Sequence, residues 1–166
     1  EFTNLTPCKI IMIICKFCKS NQLKKILSLG STPLANSYVV KYQDFKFEKS
    51  YPLELHFCKK CKLIQAPHNI SPSKIFVNYD YLSGISSTWK EHCKKFYEKI
   101  SKKFKYKASK DTIIEIASND GTLLKFFKEK KFNCIGVEPS KYAASIANKN
   151  KIYTINKFLT PQLANK

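Results

Sequence analysis

Two Cys-x-x-Cys pairs constrain this 166-residue chain more than any other feature of its sequence. The first pair is Cys15 and Cys18, the second is Cys58 and Cys61, and 39 residues separate them. Two tight turns that each present two sulfur atoms meet the tetrahedral thiolate geometry that zinc prefers. Because cysteines fill all four positions and leave none open for a substrate, we expect a structural zinc ion.

Other readings of the cysteines and histidines stay open at this point. The four residues could be unrelated buried or reactive thiols, although paired spacing at strand turns favours zinc. His56 and His68 flank the second pair and are secondary ligand candidates. Cys93 and Cys134 fall on a helical stripe and in a strand, where we expect core packing. Seven cysteines without a signal-peptide pattern argue against a secreted disulfide framework.

The segment before the second pair alternates as a β-strand does. Apolar residues occupy one face of residues 51–57, and the polar residues Glu54 and His56 occupy the other. This strand runs into the second cysteine turn and continues at Leu63 and Ile64, which predicts a hairpin. Residues 23–29, ended by Gly30, are the expected partner strand.

The middle of the chain is predicted to be helical. Ser71 and Pro72 form a start signal for a short helix that ends near Phe76. Ser87 or Thr88 can cap a longer helix. Its apolar stripe consists of Trp89, Cys93, Phe96, Tyr97, Ile100 and Phe104.

From Thr112 onward, strand and helix patterns alternate. Such βαβαβ alternation predicts a parallel sheet with right-handed crossovers. The expected strands are 112–117, which is predicted to be buried, 134–137 and 152–155. The expected helices are 121–131 and 142–148. The predicted fold class is therefore α/β in three parts: a zinc ribbon over residues 12–68, a helical connector over 69–108, and a truncated, Rossmann-like parallel sheet over 109–166.

Composition limits the partners of the chain. The formal net charge is +18, but all 30 basic residues are lysines, and base and phosphate readers draw heavily on arginine. We therefore expect no specific nucleic-acid partner, and keep a zinc-ribbon nucleic-acid-binding module as an alternative. No apolar run approaches the ~20 residues of a membrane span, so we expect a cytoplasmic protein. Because the first methionine is Met12, residues 1–11 are expected to be an upstream extension.

The loop after the first parallel strand is a candidate cofactor site. Its residues follow Glu115, and such a loop offers backbone donors at the carboxyl end of a strand. Glu138 ends the second strand, where an acidic side chain can accept hydrogen bonds from ribose hydroxyls. Spacing alone leaves two alternatives open, a simple turn capped by Asp120 and a surface acid at position 138. The loop consists of Ala117, Ser118, Asn119, Asp120 and Gly121.

Taken together, these motifs resemble the family of class I S-adenosylmethionine-dependent sugar C-methyltransferases that carry a zinc-binding domain. The similarity runs from about Met12 to the C-terminus. Its motifs are the two cysteine pairs, Pro33-Leu34-Ala35-Asn36-Ser37, Tyr51-Pro52-Leu53, Tyr79-x-Tyr81-x-Ser83 with Trp89 and His92, the Glu115 to Gly121 loop, and Gly136-Val137-Glu138-Pro139-Ser140.

The resemblance implies zinc and S-adenosylmethionine as cofactors and a nucleotide-linked keto-deoxysugar as substrate. Glu115 and the loop would hold the methionine end of the cofactor and Glu138 its ribose. Tyr79, Tyr81 and Ser83 would close over cofactor or substrate, although the tyrosines could equally be core aromatics. The catalytic general base is expected beyond Lys166, so the chain is expected to be an inactive fragment. A class I methyltransferase with another acceptor is the alternative within enzymes.

Overall fold

A computed structural model describes residues 13–67, 70–104, 107–108 and 110–165. Met12, His68 and Lys166 lie outside the described residues. The chain divides into two compact units. The ribbon unit ends at Ile70, and the sheet unit begins at Ser71 and includes the short segment Ala35–Tyr38. The three-part boundaries drawn from the sequence stay a prediction.

The ribbon unit is a three-stranded antiparallel sheet in the order β1-β2-β3. The strands are β1 (Leu23–Thr32), β2 (Tyr51–Cys58) and β3 (Ile64–Gln65), with a 3₁₀ turn over Tyr42–Phe47 between β1 and β2. Pairing of β1 with β2 confirms the predicted partner strand. β1 does not end at Gly30, because the chain passes that glycine at a register irregularity between Ser28 and Ser31.

The buried face of β2 is the one that carries His56 and Cys58. His56 is only 7% exposed, whereas Leu53 on the apolar face is 43% exposed. Side chains alternate along a strand, so His56 shares its face with the fully buried Cys58. The position of Cys58, and not the apolar pattern, therefore decides which face of β2 is buried.

The ribbon unit has almost no apolar core. Among its described residues, no Leu, Ile, Val, Phe or Tyr side chain is buried. Its buried residues are Cys15, His56, Cys58, Gln65 and Pro67. A sheet of this size without a core needs another source of folding free energy, and a bound metal supplies it in small domains of this kind.

The sheet unit begins with helices and continues as a parallel sheet. Two helices, α1 (Pro72–Phe76) and α2 (Ser87–Lys103), flank a 3₁₀ turn at Ser83–Ile85. The alternating elements are β4 (Thr112–Ile116), α3 (Thr122–Glu129), β5 (Asn133–Val137), α4 (Lys141–Lys149), β6 (Thr154–Ile155) and α5 (Pro161–Ala164). Their parallel strand order, β4-β5-β6, confirms the Rossmann-like α/β fold class.

Two helix starts show how well local signals work. α1 has Ser71 at its N-cap and Pro72 at its first position, as expected, although the serine side chain makes no capping hydrogen bond. α2 is capped by Ser86, not by Ser87 or Thr88, because the Ser86 hydroxyl accepts the Trp89 N–H at 3.1 Å.

The core of the sheet unit lies on one face of the sheet. Leu124 and Phe127 of α3 pack with Cys134, Ala147 and neighbouring apolar residues. Sequential parallel strands joined by right-handed crossovers place their helices on the same face. The prediction that β4 is buried was therefore wrong for alternate residues. Ile114 is 62% and Ile116 57% exposed.

Candidate functional site

The four predicted zinc ligands lie together in the ribbon unit. All four sulfur atoms are within 4.8 Å of one another. Sγ of Cys15 is 3.6 Å from that of Cys61, and Sγ of Cys18 is 3.6 Å from that of Cys58. Tetrahedral zinc with bonds of ~2.3 Å places its sulfurs ~3.8 Å apart. The donor set and its spacing therefore fit a structural zinc ion.

The two cysteine turns repeat one backbone conformation. In each turn the residue after the second cysteine, Lys19 or Lys62, has a left-handed backbone with φ of 60° or 67°. Its N–H donates to the carbonyl of the first cysteine, Cys15 or Cys58, at 3.0 or 2.8 Å. Its ammonium group reaches back to the carbonyl of the residue after that cysteine. A shared Cys-Lys-x-Cys-Lys sequence thus builds two equivalent halves of one site.

Gln65 supports the cluster from β3. Its side-chain N–H donates to Sγ of Cys15 at 3.1 Å, and its carbonyl oxygen accepts the Lys16 N–H at 2.9 Å. Burial raises the pKa of Cys15, but N–H groups of Cys18, Gln65 and Phe17 outweigh it and lower that pKa to about 6. Gln65 thus stabilises the thiolate form that a metal requires.

The pKa values of Cys58 and Cys61 are shifted in opposite directions. The Cys61 N–H is the largest influence on Cys58 and lowers its pKa. The Leu63 N–H lowers the pKa of Cys61, but burial and the other three sulfurs outweigh it and raise that pKa to about 12. Negative charge on one sulfur disfavours charge on its neighbours, and a divalent cation at the centre relieves this repulsion.

The other histidine and cysteine candidates lie elsewhere. His56 does not join the cluster, and its Nε2 is 3.0 Å from a carboxylate oxygen of Glu54. Cys93 and Cys134 are 1% and 2% exposed in the sheet unit, in agreement with the core packing expected for them. His92 stacks on Trp89 with ring centroids 5.1 Å apart.

The candidate cofactor loop leaves β4 in an unusual conformation. Ala117 and Asn119 both have left-handed backbones, with φ of 58° and 51°, and Gly121 follows at 77°. N–H groups of Ala117 and Ser118 both donate to the Val137 carbonyl, which ties the loop to the end of β5. Non-glycine residues in this conformation carry strain, and such strain concentrates at functional sites.

Glu138 joins the loop to the end of the second parallel strand. One carboxylate oxygen accepts the Asn119 N–H at 2.8 Å, and the other accepts the Ser140 N–H at 2.7 Å. Only 6% of this side chain is exposed. The position is therefore not the simple surface acid that sequence spacing left open.

Glu115 is a second acidic group at this edge of the sheet. Its Oε2 is buried and has no hydrogen-bond partner among the residues that the structure describes. Burial raises the pKa of Glu115 to about 7, and the carboxyl groups of Asp120 and Glu138 add to the effect. Ser118 Oγ is likewise buried without a partner in the described part of the chain. Two polar atoms at this edge thus have unused hydrogen-bonding capacity.

The segment of residues 79–84 is hydrogen-bonded to the loop. The Asn119 side chain accepts the Ser83 N–H at 2.8 Å and donates to the Tyr81 carbonyl at 2.9 Å. Asp120 accepts the Gly84 N–H at 2.8 Å. The side chain of Asn119, a predicted site residue, thus contacts the backbone of two others, Tyr81 and Ser83.

Tyr79 is anchored in the same way, and its ring packs locally. Its carbonyl accepts the Ser140 hydroxyl at 3.2 Å. Its ring lies 5.7 Å from that of Phe76 and 6.3 Å from that of Tyr81. Tyr81 is 46% exposed, so it keeps a surface available to a ligand.

A cavity of about 410 Å³ adjoins the loop within the sheet unit. Asp120 and Gly121 contribute to its wall, together with Leu82 and Ile85 of the preceding segment and Lys125 of α3. The loop residues therefore border a recess as well as the carboxyl end of the sheet.

Sequence reasoning missed several residues that shape these sites. Gln65 had no motif to mark it, since an isolated glutamine after a strand carries no signal. Gly84 follows the Tyr79-x-Tyr81-x-Ser83 motif directly, and its position beside that motif was the available clue. Asn156, whose side chain donates to the Glu138 and Pro139 carbonyls at 2.8 and 3.0 Å, follows the third strand.

Comparisons with known proteins agree with this geometry. A family model described as "Putative zinc binding domain" matches residues 15–76. The C-methyltransferase NovU of Streptomyces niveus is 28% identical over 141 residues, which cover 85% of this chain. The chain spans about a third (33%) of the length of that curated relative. No helix among the described residues is long and apolar enough to cross a membrane.

The matched domain and the cysteine cluster both indicate a zinc site. Residues 15–76 carry the zinc-binding domain, and all four clustered cysteines lie within that match. The similarity to a C-methyltransferase extends beyond the domain into the parallel sheet. The chain is therefore related to a C-methyltransferase and carries a match to a zinc-binding domain in residues 15–76.

Proposed function

We propose that this chain contributes the zinc-binding domain and the cofactor-binding sheet of an S-adenosylmethionine-dependent C-methyltransferase. The observation that carries the proposal is the position of Glu138. Its carboxylate sits at the carboxyl end of β5 and is fixed by N–H groups of Asn119 and Ser140. An acidic side chain placed there in a parallel α/β sheet is suited to a ribose.

Glu138 has the remaining capacity that this role needs. Each carboxylate oxygen can accept about two hydrogen bonds, and each already accepts one backbone N–H. Two acceptor positions are left for the two ribose hydroxyls. The backbone bonds orient the carboxylate before the ligand arrives, which lowers the entropic cost of binding.

Glu115 and Ser118 are suited to the amino acid end of the cofactor. Both have buried polar atoms without partners in the described residues, and unsatisfied buried groups are costly unless a ligand completes them. In this proposal Glu115 carries a negative charge when it receives the ammonium group, and Ala117 and Gly121 allow close approach through their backbone. Tyr79, Tyr81 and Ser83 lie beside the loop and would close over the ligand.

The reaction proposed is methylation of a carbon atom beside a ketone in a nucleotide-linked deoxysugar. When bound, the cofactor supplies an electrophilic methyl group. A general base would remove a proton from the acceptor carbon, and the resulting enolate would take up the methyl group as the methyl–sulfur bond breaks and S-adenosylhomocysteine leaves. The base is expected beyond Lys166, and the zinc ion serves folding because its four thiolates leave no open position. We propose no specific nucleic-acid or membrane partner.

Incubation of the full-length gene product with labelled S-adenosylmethionine and a panel of keto-sugar nucleotides tests the acceptor. The proposal predicts one transferred methyl group on carbon, located by mass spectrometry and NMR, and no transfer to the corresponding hydroxy-sugars, which cannot form the enolate. Transfer to oxygen or nitrogen, or transfer to an unrelated acceptor with none to any keto-sugar, would refute this choice.

A further inference from the structure

Asn119 and Asp120 use their side chains on the protein itself. Asn119 pairs with segment 79–84 through one donor and one acceptor, as a neighbouring strand would. Asp120 accepts the Gly84 N–H with one oxygen and Thr122 N–H and hydroxyl groups with the other. Both side chains are therefore occupied before any ligand binds, although the sequence marked them as ligand contacts.

A side chain at position 84 would clash with Asp120 and Thr122. A Cβ atom at this position would lie 2.7 Å from Oδ2 of Asp120 and 2.9 Å from Oγ1 of Thr122. Oδ2 of Asp120 accepts the Gly84 N–H, and Oγ1 of Thr122 donates to Oδ1 of Asp120, so neither atom moves aside without straining one of these bonds. The Gly84 backbone is outside the left-handed region, so the close approach to Asp120 is what requires glycine.

We propose that Gly84, Asn119 and Asp120 form a latch, in which these residues act as positioning residues that hold segment 79–84 against the cofactor loop. The inference rests on the proposed function, because the loop is taken as the site of an adenosyl ligand. The same Asn119 residue gives its N–H to Glu138 and its side chain to the segment. A ligand that orders the cofactor loop therefore also orders segment 79–84. Conversely, docking of segment 79–84 on the loop raises the affinity of the loop for the ligand.

Thermodynamic linkage makes this coupling reciprocal. If docking of the segment raises the affinity of the loop for ligand, the ligand must raise the docking equilibrium by the same factor. Loss of one neutral hydrogen bond corresponds to about a fivefold change in such an equilibrium. Gly84→Ala, which disrupts the Asp120 contact, should produce an effect of about this size or larger.

Hydrogen exchange and ligand binding together test the latch in the zinc-loaded chain. Gly84→Ala should speed amide exchange at Ser83 and Gly84 about fivefold or more, and should weaken S-adenosylhomocysteine by a similar factor. Asn119→Gly, which tolerates the left-handed backbone, should speed exchange at Ser83 as well. Addition of S-adenosylhomocysteine should slow exchange at these amides in the unsubstituted chain.

Two matched controls separate the latch from general destabilisation. Thr88→Ala truncates an exposed side chain in the first turn of α2, four residues after Gly84, and should change neither readout. Asn133→Ala removes an asparagine contact to Thr112 at the opposite end of the β4–β5 pair and should likewise leave both unchanged. Circular dichroism confirms that each variant is folded before exchange is compared.

Each outcome decides a separate point. Unchanged exchange at Ser83 in a folded Asn119→Gly variant refutes the latch. Faster exchange with unchanged ligand affinity in Gly84→Ala refutes the coupling. If the unsubstituted chain does not bind S-adenosylhomocysteine, the cofactor proposal and the coupling both fail, and the exchange rates without ligand still decide whether the latch exists.

Discussion

Replacement of Glu115 with glutamine should change how the stability of the sheet unit depends on pH. The variant keeps the shape of the side chain and removes its ionisation. Burial, together with the carboxyl groups of Asp120 and Glu138, raises the pKa of Glu115 from 4.5 to about 7. A folded-state pKa above the unfolded value means that the folded chain holds this proton longer.

The sign and size follow from this difference. As the pH rises from about 4.5 to 7, Glu115 ionises in the unfolded chain first, so its contribution to stability falls and then levels off above pH 7. From pH 5.5 up to the folded-state pKa of about 7, Glu115 is ionised in the unfolded chain and protonated in the folded one. Over these roughly 1.5 pH units, stability falls by about 1.4 kcal/mol per unit. The full effect is about 2 kcal/mol, and solvent screening of this partly buried group reduces it to about 1 kcal/mol.

Urea unfolding followed by tryptophan fluorescence measures this effect. Trp89 is the single tryptophan and lies in α2 of the sheet unit, so the signal reports on the unit that contains Glu115. Stability of Glu115→Gln relative to the parent chain should increase by about 1 kcal/mol or more from pH 5.5 to 8.5. Glu129→Gln, at the exposed end of α3, is the control and should show no such trend. A difference for Glu115→Gln that does not vary with pH would refute the reasoning.

Two further predictions concern the metal site. Cys58→Ser should reduce bound zinc from one ion per chain to none and unfold the ribbon unit, which has no apolar core in its described residues. The control Cys93→Ala should retain the ion. Elemental analysis and circular dichroism measure both effects, and a zinc-loaded, folded Cys58→Ser variant would show that the ligands are misassigned. Gln65→Leu, which removes the N–H bond to Cys15, should weaken zinc about tenfold in competition with a chelator, and unchanged affinity would mean that this bond does not support the site.

Local patterns predicted much of this fold because each rests on a local physical rule. The cysteine turns follow from the Cys-Lys-x-Cys-Lys sequence, and the α1 start follows from Ser71 and Pro72. Parallel pairing of β4 with β5 follows from βαβ alternation. In each case the deciding residues are neighbours in the chain.

The errors arose where distant residues decide the outcome. Apolar alternation in β2 did not show that the face with His56 is buried, because this face also carries Cys58, whose site the first cysteine pair completes. Ile114 looked like core, although both helices of the βαβαβ unit pack on the opposite face. The side-chain contacts of Asn119 could not be inferred either, because they link residues 36 and 38 positions apart in sequence.

Calorimetric titration of the zinc-loaded chain with S-adenosylhomocysteine tests the central claim most directly. We expect one site of micromolar affinity, loss of binding in Glu138→Ala because the ribose acceptors are removed, and unchanged binding in Glu98→Ala, an exposed position on α2. Absence of binding by a folded, zinc-loaded chain, or full binding by Glu138→Ala, would contradict the assignment of this edge of the sheet as the cofactor site.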